Sequence, residues 1–161
     1  MKFESIGIIN RSNDELTIES INQLIDILNQ FGCNVIVSNE CPISYENKLN
    51  EGDIAKSVDL IITVGGDGTI LHAANLSHDF NIPLLGINRG QLGFLADLKP
   101  EEIKPNILSI LNGNYSEERR MMLRVEIIKS NHENIEDRAS TMISLLEMAN
   151  HEEDGIKDVK H

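Results

Sequence analysis

A single carboxylate stands among three glycines in Gly65-Gly66-Asp67-Gly68-Thr69, directly after the apolar run Leu60-Ile61-Ile62-Thr63-Val64. Glycines let a backbone take unusual conformations and let a ligand come close, because no Cβ intervenes. If the turn opens a helix, its unpaired N–H groups and the helix dipole favour an anion. The residue types therefore suit phosphate, and Asp67 could accept a proton from an attacking hydroxyl or help hold a metal. Two familiar phosphate motifs do not fit. No lysine follows Gly68, as a Walker A loop would require, and no glycine stands three residues beyond it, as a dinucleotide fingerprint would. A helix-entry turn with Asp67 as a simple cap remains the structural alternative.

Other polar residues gather around this turn in sequence. His72 lies five positions beyond Asp67, where it could meet a ligand or pack as a partly exposed side chain. Asn88 and Arg89 end another apolar run, and they could contact phosphate or ribose or fix their turn by hydrogen bonds. Gly90 and Gly93 suit backbone geometry, and Arg119 and Arg120 suit surface charge. His132, His151 and His161 have no partners at metal-ligand spacing, and no metal site is assigned. Cys33 and Cys41 match neither metal nor redox spacing and are expected as reduced thiols.

The elements that must position these groups follow from hydrophobic period. Residues 5–10 make a short buried strand, and Ser12, Asn13 and Asp14 offer caps for a helix through Ile18, Ile21, Leu24, Ile25 and Leu28. Gly32 suits the position after that helix. Strands follow at 34–38, 59–64 and 82–88, with helices over 70–76 and 101–111, Pro105 being tolerated near a first turn. Residues 39–53 suggest an irregular connection. Residues 121–129 alternate as a strand, and 139–150 could form an amphipathic helix. Strands alternating with helices predict an α/β fold, an open, largely parallel sheet with flanking helices.

Bulk properties narrow the partners. The chain has 161 residues and a formal net charge of -12, a poor match for a protein that must neutralise nucleic-acid phosphates. Aromatic content of 4% with no tryptophan makes base stacking an unpromising mode. No apolar run approaches the roughly 20 residues of a membrane span, and the start Met1-Lys2-Phe3-Glu4 lacks a secretory pattern. A cytoplasmic protein acting on small anionic molecules, with neither nucleic acid nor membrane as partner, is expected.

A second motif makes the pattern specific. Leu85-Gly86-Ile87-Asn88-Arg89-Gly90-Gln91-Leu92-Gly93-Phe94-Leu95-Ala96-Asp97, following the glycine turn at this separation, closely resembles bacterial NAD kinases. The turn by itself is shared with diacylglycerol kinases, sphingosine kinases and 6-phosphofructokinases. The resemblance runs from about Ile6 to Ile128 and includes Ser116-Glu117-Glu118-Arg119-Arg120-Met121-Met122-Leu123 at the entry to the family's second domain. It implies transfer of a phosphoryl group from ATP or polyphosphate to the 2′-hydroxyl of the adenosine ribose of NAD, with a divalent metal, usually Mg²⁺. It also implies a homo-oligomer for the full-length family. Asp67 matches the proposed proton acceptor, Asp67 and Gly68 the dinucleotide-contacting pair, and His72 a position that touches NAD. Gly65, Gly66, Thr69 and Asn88 complete the expected binding set.

The family's second, mostly β domain supplies an Asn-Glu pair and a Gly-Ser-Thr-Ala-Tyr stretch, and neither occurs here. The expected organisation is a nucleotide-binding α/β domain over 1–115, the start of a mostly missing β domain over 116–129, and a divergent, poorly ordered tail over 130–161. A changed reading frame or an early end would produce such a tail. Weak or absent activity of the chain alone is therefore expected. The alternative is a non-catalytic module that binds nucleotide phosphate or pairs with a complete kinase subunit.

Overall fold

The computed structural model describes residues 3–89, 95, 98–125 and 139–141. It divides into two compact units, Met1–Ser116 and Glu117–His161.

In the first unit, β1 (Ser5–Asn10) leads into α1 (Glu15–Gln30). Asp14 is the N-cap, its carboxylate accepting the Thr17 N–H at 2.9 Å and the Thr17 hydroxyl at 2.6 Å. The Ser12 hydroxyl also donates to Asp14, and these bonds, that of Ser12 foremost, hold its carboxyl well below the usual range. Helix α1 stops at Phe31, and Gly32 takes φ +75°, the left-handed turn that glycine allows. Then come β2 (Asn34–Ser38), β3 (Lys48–Leu49), α2 (Glu51–Ile54), β4 (Leu60–Gly65), α3 (Asp67–Ser77), β5 (Leu84–Asn88) and α4 (Ile103–Leu111).

The five strands form one sheet in the order β3-β2-β1-β4-β5, all neighbours parallel. A parallel sheet must be covered on both faces, and the alternation of side chains divides the core accordingly. Ile6 and Ile8 of β1 and Leu60, Ile62 and Val64 of β4 pack beneath α1 and α4. Ile9, Ile36 and Ile61 point the other way, against Ile54 of α2 and Ala73 of α3. The open, parallel α/β architecture expected from hydrophobic spacing is the one observed.

Several local expectations need correction. Residues 39–53 are not wholly irregular: β3 extends the sheet beside β2, and α2 follows at once. Both are too short for periodicity to reveal them. The helix expected from residue 70 begins three residues earlier, at Asp67, and the strand expected from 82 starts at Leu84. The helix over 101–111 is a 3₁₀ turn, Pro100–Glu102, running into α4. Pro105 is the third residue of α4, where its missing N–H has no helical acceptor to lose.

In the second unit, β6 (Leu123–Val125) pairs antiparallel with β7 (Ala139–Thr141). Residues 139–141 are thus a strand and not the start of a helix, and residues 123–125 of the strand expected at 121–129 are observed as one. Exposed strand groups bond to whatever extended segment can reach them. The rest of the helix expected to 150, and the tail histidines, lie outside the described residues.

One electrostatic feature of the fold is testable. Asp59, just before β4, accepts the backbone N–H groups of Ser5 and Glu4, each at 3.0 Å. Those bonds lower its folded pKa, so its stabilisation is fully present above the unfolded carboxylate value of about 4 and is lost as pH falls through the lowered value. Urea midpoints measured from pH 6 down to pH 3 should fall more steeply for the wild type than for Asp59→Asn. Parallel acid limbs would remove Asp59 from the account.

Candidate active site

From β1 the chain crosses through α1 to β2, and from β4 it crosses through α3 to β5 in the opposite direction. The crossovers therefore diverge between β1 and β4, and a crevice at the carboxyl ends of these strands is where open α/β sheets take ligands. Asn10, the last residue of β1, is paired with Val64, so the glycine turn emerges beside it at this point. Asn10 is 1% exposed; its Nδ2 donates to the Ser12 carbonyl at 2.7 Å, and its Oδ1 has no partner among the described residues.

The glycines of the turn differ in purpose. Gly65 has φ +157°, and a Cβ there would stand 2.5 Å from Thr69 Oγ1. Thr69 is buried, so it has little room to yield. Gly65→Ala should destabilise the unit by about 1–3 kcal/mol, read as a lower urea midpoint. An unchanged midpoint would mean that Thr69 moves aside at no cost. Gly66 and Gly68 are under no such constraint. Gly66 is the N-cap of α3 at φ -97°, Gly68 lies inside the helix, and a Cβ on either would meet nothing within 4 Å among the described residues. Glycine in a helix costs about 1 kcal/mol relative to alanine, and packing within the described part of the fold gives no return for it. Bare backbone facing open space is the surface a phosphate can approach.

Asp67 is the first residue inside α3, one past the N-cap. Its Oδ1 accepts the Leu95 N–H at 3.1 Å, a bond between residues 28 positions apart. The two motifs of the sequence are thereby joined through the one carboxylate between the glycines, and Asp67 does more than a simple cap would. The same region is fastened through the backbone: Asn88 is in register with Gly65, and Arg89 N–H donates to the Gly65 carbonyl at 3.2 Å. Leu98 returns alongside β5, accepting from Asn88 N–H at 2.8 Å and donating to the Gly86 carbonyl at 3.0 Å.

The remaining candidates separate. Arg89 turns to α1, where Nε donates to Ser20 Oγ at 2.6 Å and Nη2 lies 3.9 Å from Glu19. These bonds tie the end of β5 to α1, a contact that neither of its two expected roles included. His72, on α3, has its Nε2 2.6 Å from Glu51 Oε2. Gly90 and Gly93 lie outside the described residues. Sequence reasoning missed Glu51, Ser38, Ser20 and Asn10. Only Asn10 left a local signal, as a polar residue closing an apolar strand. Among the described residues, no group of three or more His, Cys, Asp or Glu side chains could hold a metal.

Comparison with known proteins bears on the family and the fold. A family model described as the ATP-NAD kinase N-terminal domain matches residues 6–115. An NAD kinase of Alcanivorax borkumensis is 38% identical over 130 residues, which cover 78% of this chain and 43% of the relative. One from Nitrosococcus oceani is 38% identical over 129 residues, 78% of this chain and 44% of its own length. The chain thus spans less than half the length of these curated relatives. Among solved structures, yeast NADH kinase complexed with NADH superposes with a TM-score of 0.69 at 23% identity, covering 83% of this chain and 45% of that one. An NAD kinase from Archaeoglobus fulgidus in complex with ATP gives 0.51 at 19% identity, covering 74% and 39%. These two likenesses bear on the fold alone.

Proposed function

Since this chain belongs to the NAD kinase family, matching its N-terminal domain over residues 6–115, we propose that it supplies the phosphate-binding half of a site that phosphorylates NAD. The observation that carries this is the joining of the two motifs: Asp67, set between bare glycines, is held by the Leu95 N–H. The 2′-hydroxyl oxygen of the adenosine ribose attacks the terminal phosphorus of ATP or polyphosphate. The bridging P–O bond breaks, the shortened donor leaves, and the hydroxyl proton passes to the Asp67 carboxylate.

The residues divide this work. Holding Asp67 at Oδ1 orients the base before substrate arrives. Gly66 and Gly68 let the phosphates lie against the helix start, where the N–H groups of Asp67 and Gly68 fall within the first turn, while that of Thr69 donates to the Gly66 carbonyl at 2.9 Å and closes the turn. Gly65 and Thr69 shape the turn, and Asn88 stands beside Gly65 at the next strand end. His72 contributes a contact to the dinucleotide. A divalent ion such as Mg²⁺ would offset phosphate charge; a single carboxylate at the turn suits an ion that arrives with the nucleotide and keeps its waters. Small molecules in the cytoplasm, and neither nucleic acid nor membrane, are the partners that fit an acidic chain in which no described helix is long and apolar enough to cross a membrane.

Positioning over a whole site provides most phosphoryl-transfer catalysis. These 161 residues span about two fifths of their relatives, so we expect them to bind nucleotide with weak or no turnover. Calorimetric titration with ATP and with NAD, alongside an assay for NADP from ATP, Mg²⁺ and NAD, tests both parts. Binding with little NADP is the expected result. Brisk NADP formation abolished by Asp67→Asn would keep the chemistry and overturn the half-site. Binding of neither nucleotide would overturn the function itself.

A further inference from the structure

His72 ends a chain of three side chains that crosses three elements. Ser38, the fully buried last residue of β2, donates from Oγ to Glu51 Oε1 at 3.3 Å. Glu51 opens α2, and its side chain is only 10% exposed. Its other oxygen, Oε2, meets His72 Nε2 at 2.6 Å, while the His72 side chain keeps 30% of its surface. Both carboxylate oxygens are therefore engaged, one from the sheet and one from the helix that begins at the glycine turn.

An ionised carboxylate only accepts hydrogen bonds, so Nε2 must carry a proton and donate to Glu51. In the neutral imidazole this leaves the lone pair on Nδ1, and no described residue bonds to that atom. We propose that Glu51, braced by Ser38, is a positioning residue that fixes the His72 ring with Nδ1 presented as an acceptor to a hydroxyl or amine of the dinucleotide. An acceptor at Nδ1 does not take a phosphate oxygen, so the chain sorts the ligand's sugar or base from its phosphates, which belong to Gly66–Gly68. The same arrangement, a histidine whose far nitrogen is held by a carboxylate, orients ring ligands in metal sites. Here it would orient a ring toward an organic donor. This inference rests on the function proposed above for the same site.

The test uses the whole chain labelled with ¹⁵N. In the free protein, the Nε2–H proton should be protected from exchange and visible in ¹⁵N-edited spectra, present in wild type and Glu51→Gln, which keeps an acceptor, and lost in Glu51→Ala. Adding NAD should move the Nδ1 resonance together with the amides of Gly65 to Thr69. NAD affinity should fall about tenfold in Glu51→Ala and stay within about twofold in Glu51→Gln. Should Glu51→Ala fail to fold, the wild-type proton and its Nδ1 response to NAD decide the matter. If NAD moves the turn amides but leaves Nδ1 unmoved, or if the Nε2–H proton is unprotected, the inference falls alone. If NAD moves nothing, the proposed function falls and takes this inference with it.

Discussion

Gly68→Ala should leave the fold as stable as before, or more stable by up to about 1 kcal/mol, while weakening nucleotide binding at least about tenfold, ~1.4 kcal/mol. The two effects have opposite signs for one physical reason. Inside α3, a methyl group at this position restricts the unfolded chain and meets nothing within 4 Å among the described residues. On the proposed function, the same methyl group would stand where phosphate lies against the helix start. Gly66→Ala is the companion variant. Alanine can adopt the extended conformation seen there, φ -97° and ψ -175°, but it is a poorer N-cap than glycine. It should lose a little stability and much of the binding. Urea midpoints and calorimetric titration with ATP and NAD, run on the same preparations, separate stability from affinity. Full binding by both variants would mean that the open space above the turn is not the ligand's.

The second large effect lies beneath the site. Ile62 is fully buried in β4, which has β1 on one side and β5 on the other, and it packs on the face covered by α1 and α4. Ile62→Ala removes buried methylene volume at a place hemmed in by strands, where collapse is restricted, and should cost about 2–5 kcal/mol. Against a total stability of about 5–15 kcal/mol for a domain, that is a substantial fraction. Because β4 ends in the glycine turn, binding should be lost together with folding, unlike the Gly68 case. A urea melt gives the cost, and amide exchange along β1 and β4 shows where it is felt. A midpoint shift of less than about 0.5 kcal/mol, the range of ordinary surface changes, would show that the sheet repacks around the gap.

These two variants mark the boundary between what is local and what is not. The glycine turn, the strand before it, a cap among Ser12, Asn13 and Asp14, and the stop at Gly32 could all be expected from the sequence by itself, because each rests on residues within one or two turns of one another. The same holds for the open parallel sheet: short apolar runs alternating with helical spacing leave few other ways to bury both faces. Resemblance to NAD kinases likewise followed from two contiguous motifs.

Tertiary structure decided which side chains meet. Asp67 meets Leu95 across 28 positions, His72 meets Glu51 across 21, and Arg89 meets Ser20 across 69. No periodicity encodes such pairs, since they depend on which strands become neighbours and how far along each crossover helix a residue sits. Strand β3 and helix α2 were hidden for a related reason, being two and four residues long and ordered by their neighbours rather than by their own pattern. At 139–141, an amphipathic spacing that suggested a helix gave way to pairing with β6, because strand hydrogen bonds are made between segments and not within them. Asp67 as the residue of interest was therefore legible in the chain, but its carboxylate's attachment to the second motif exists only once β4 and β5 lie side by side.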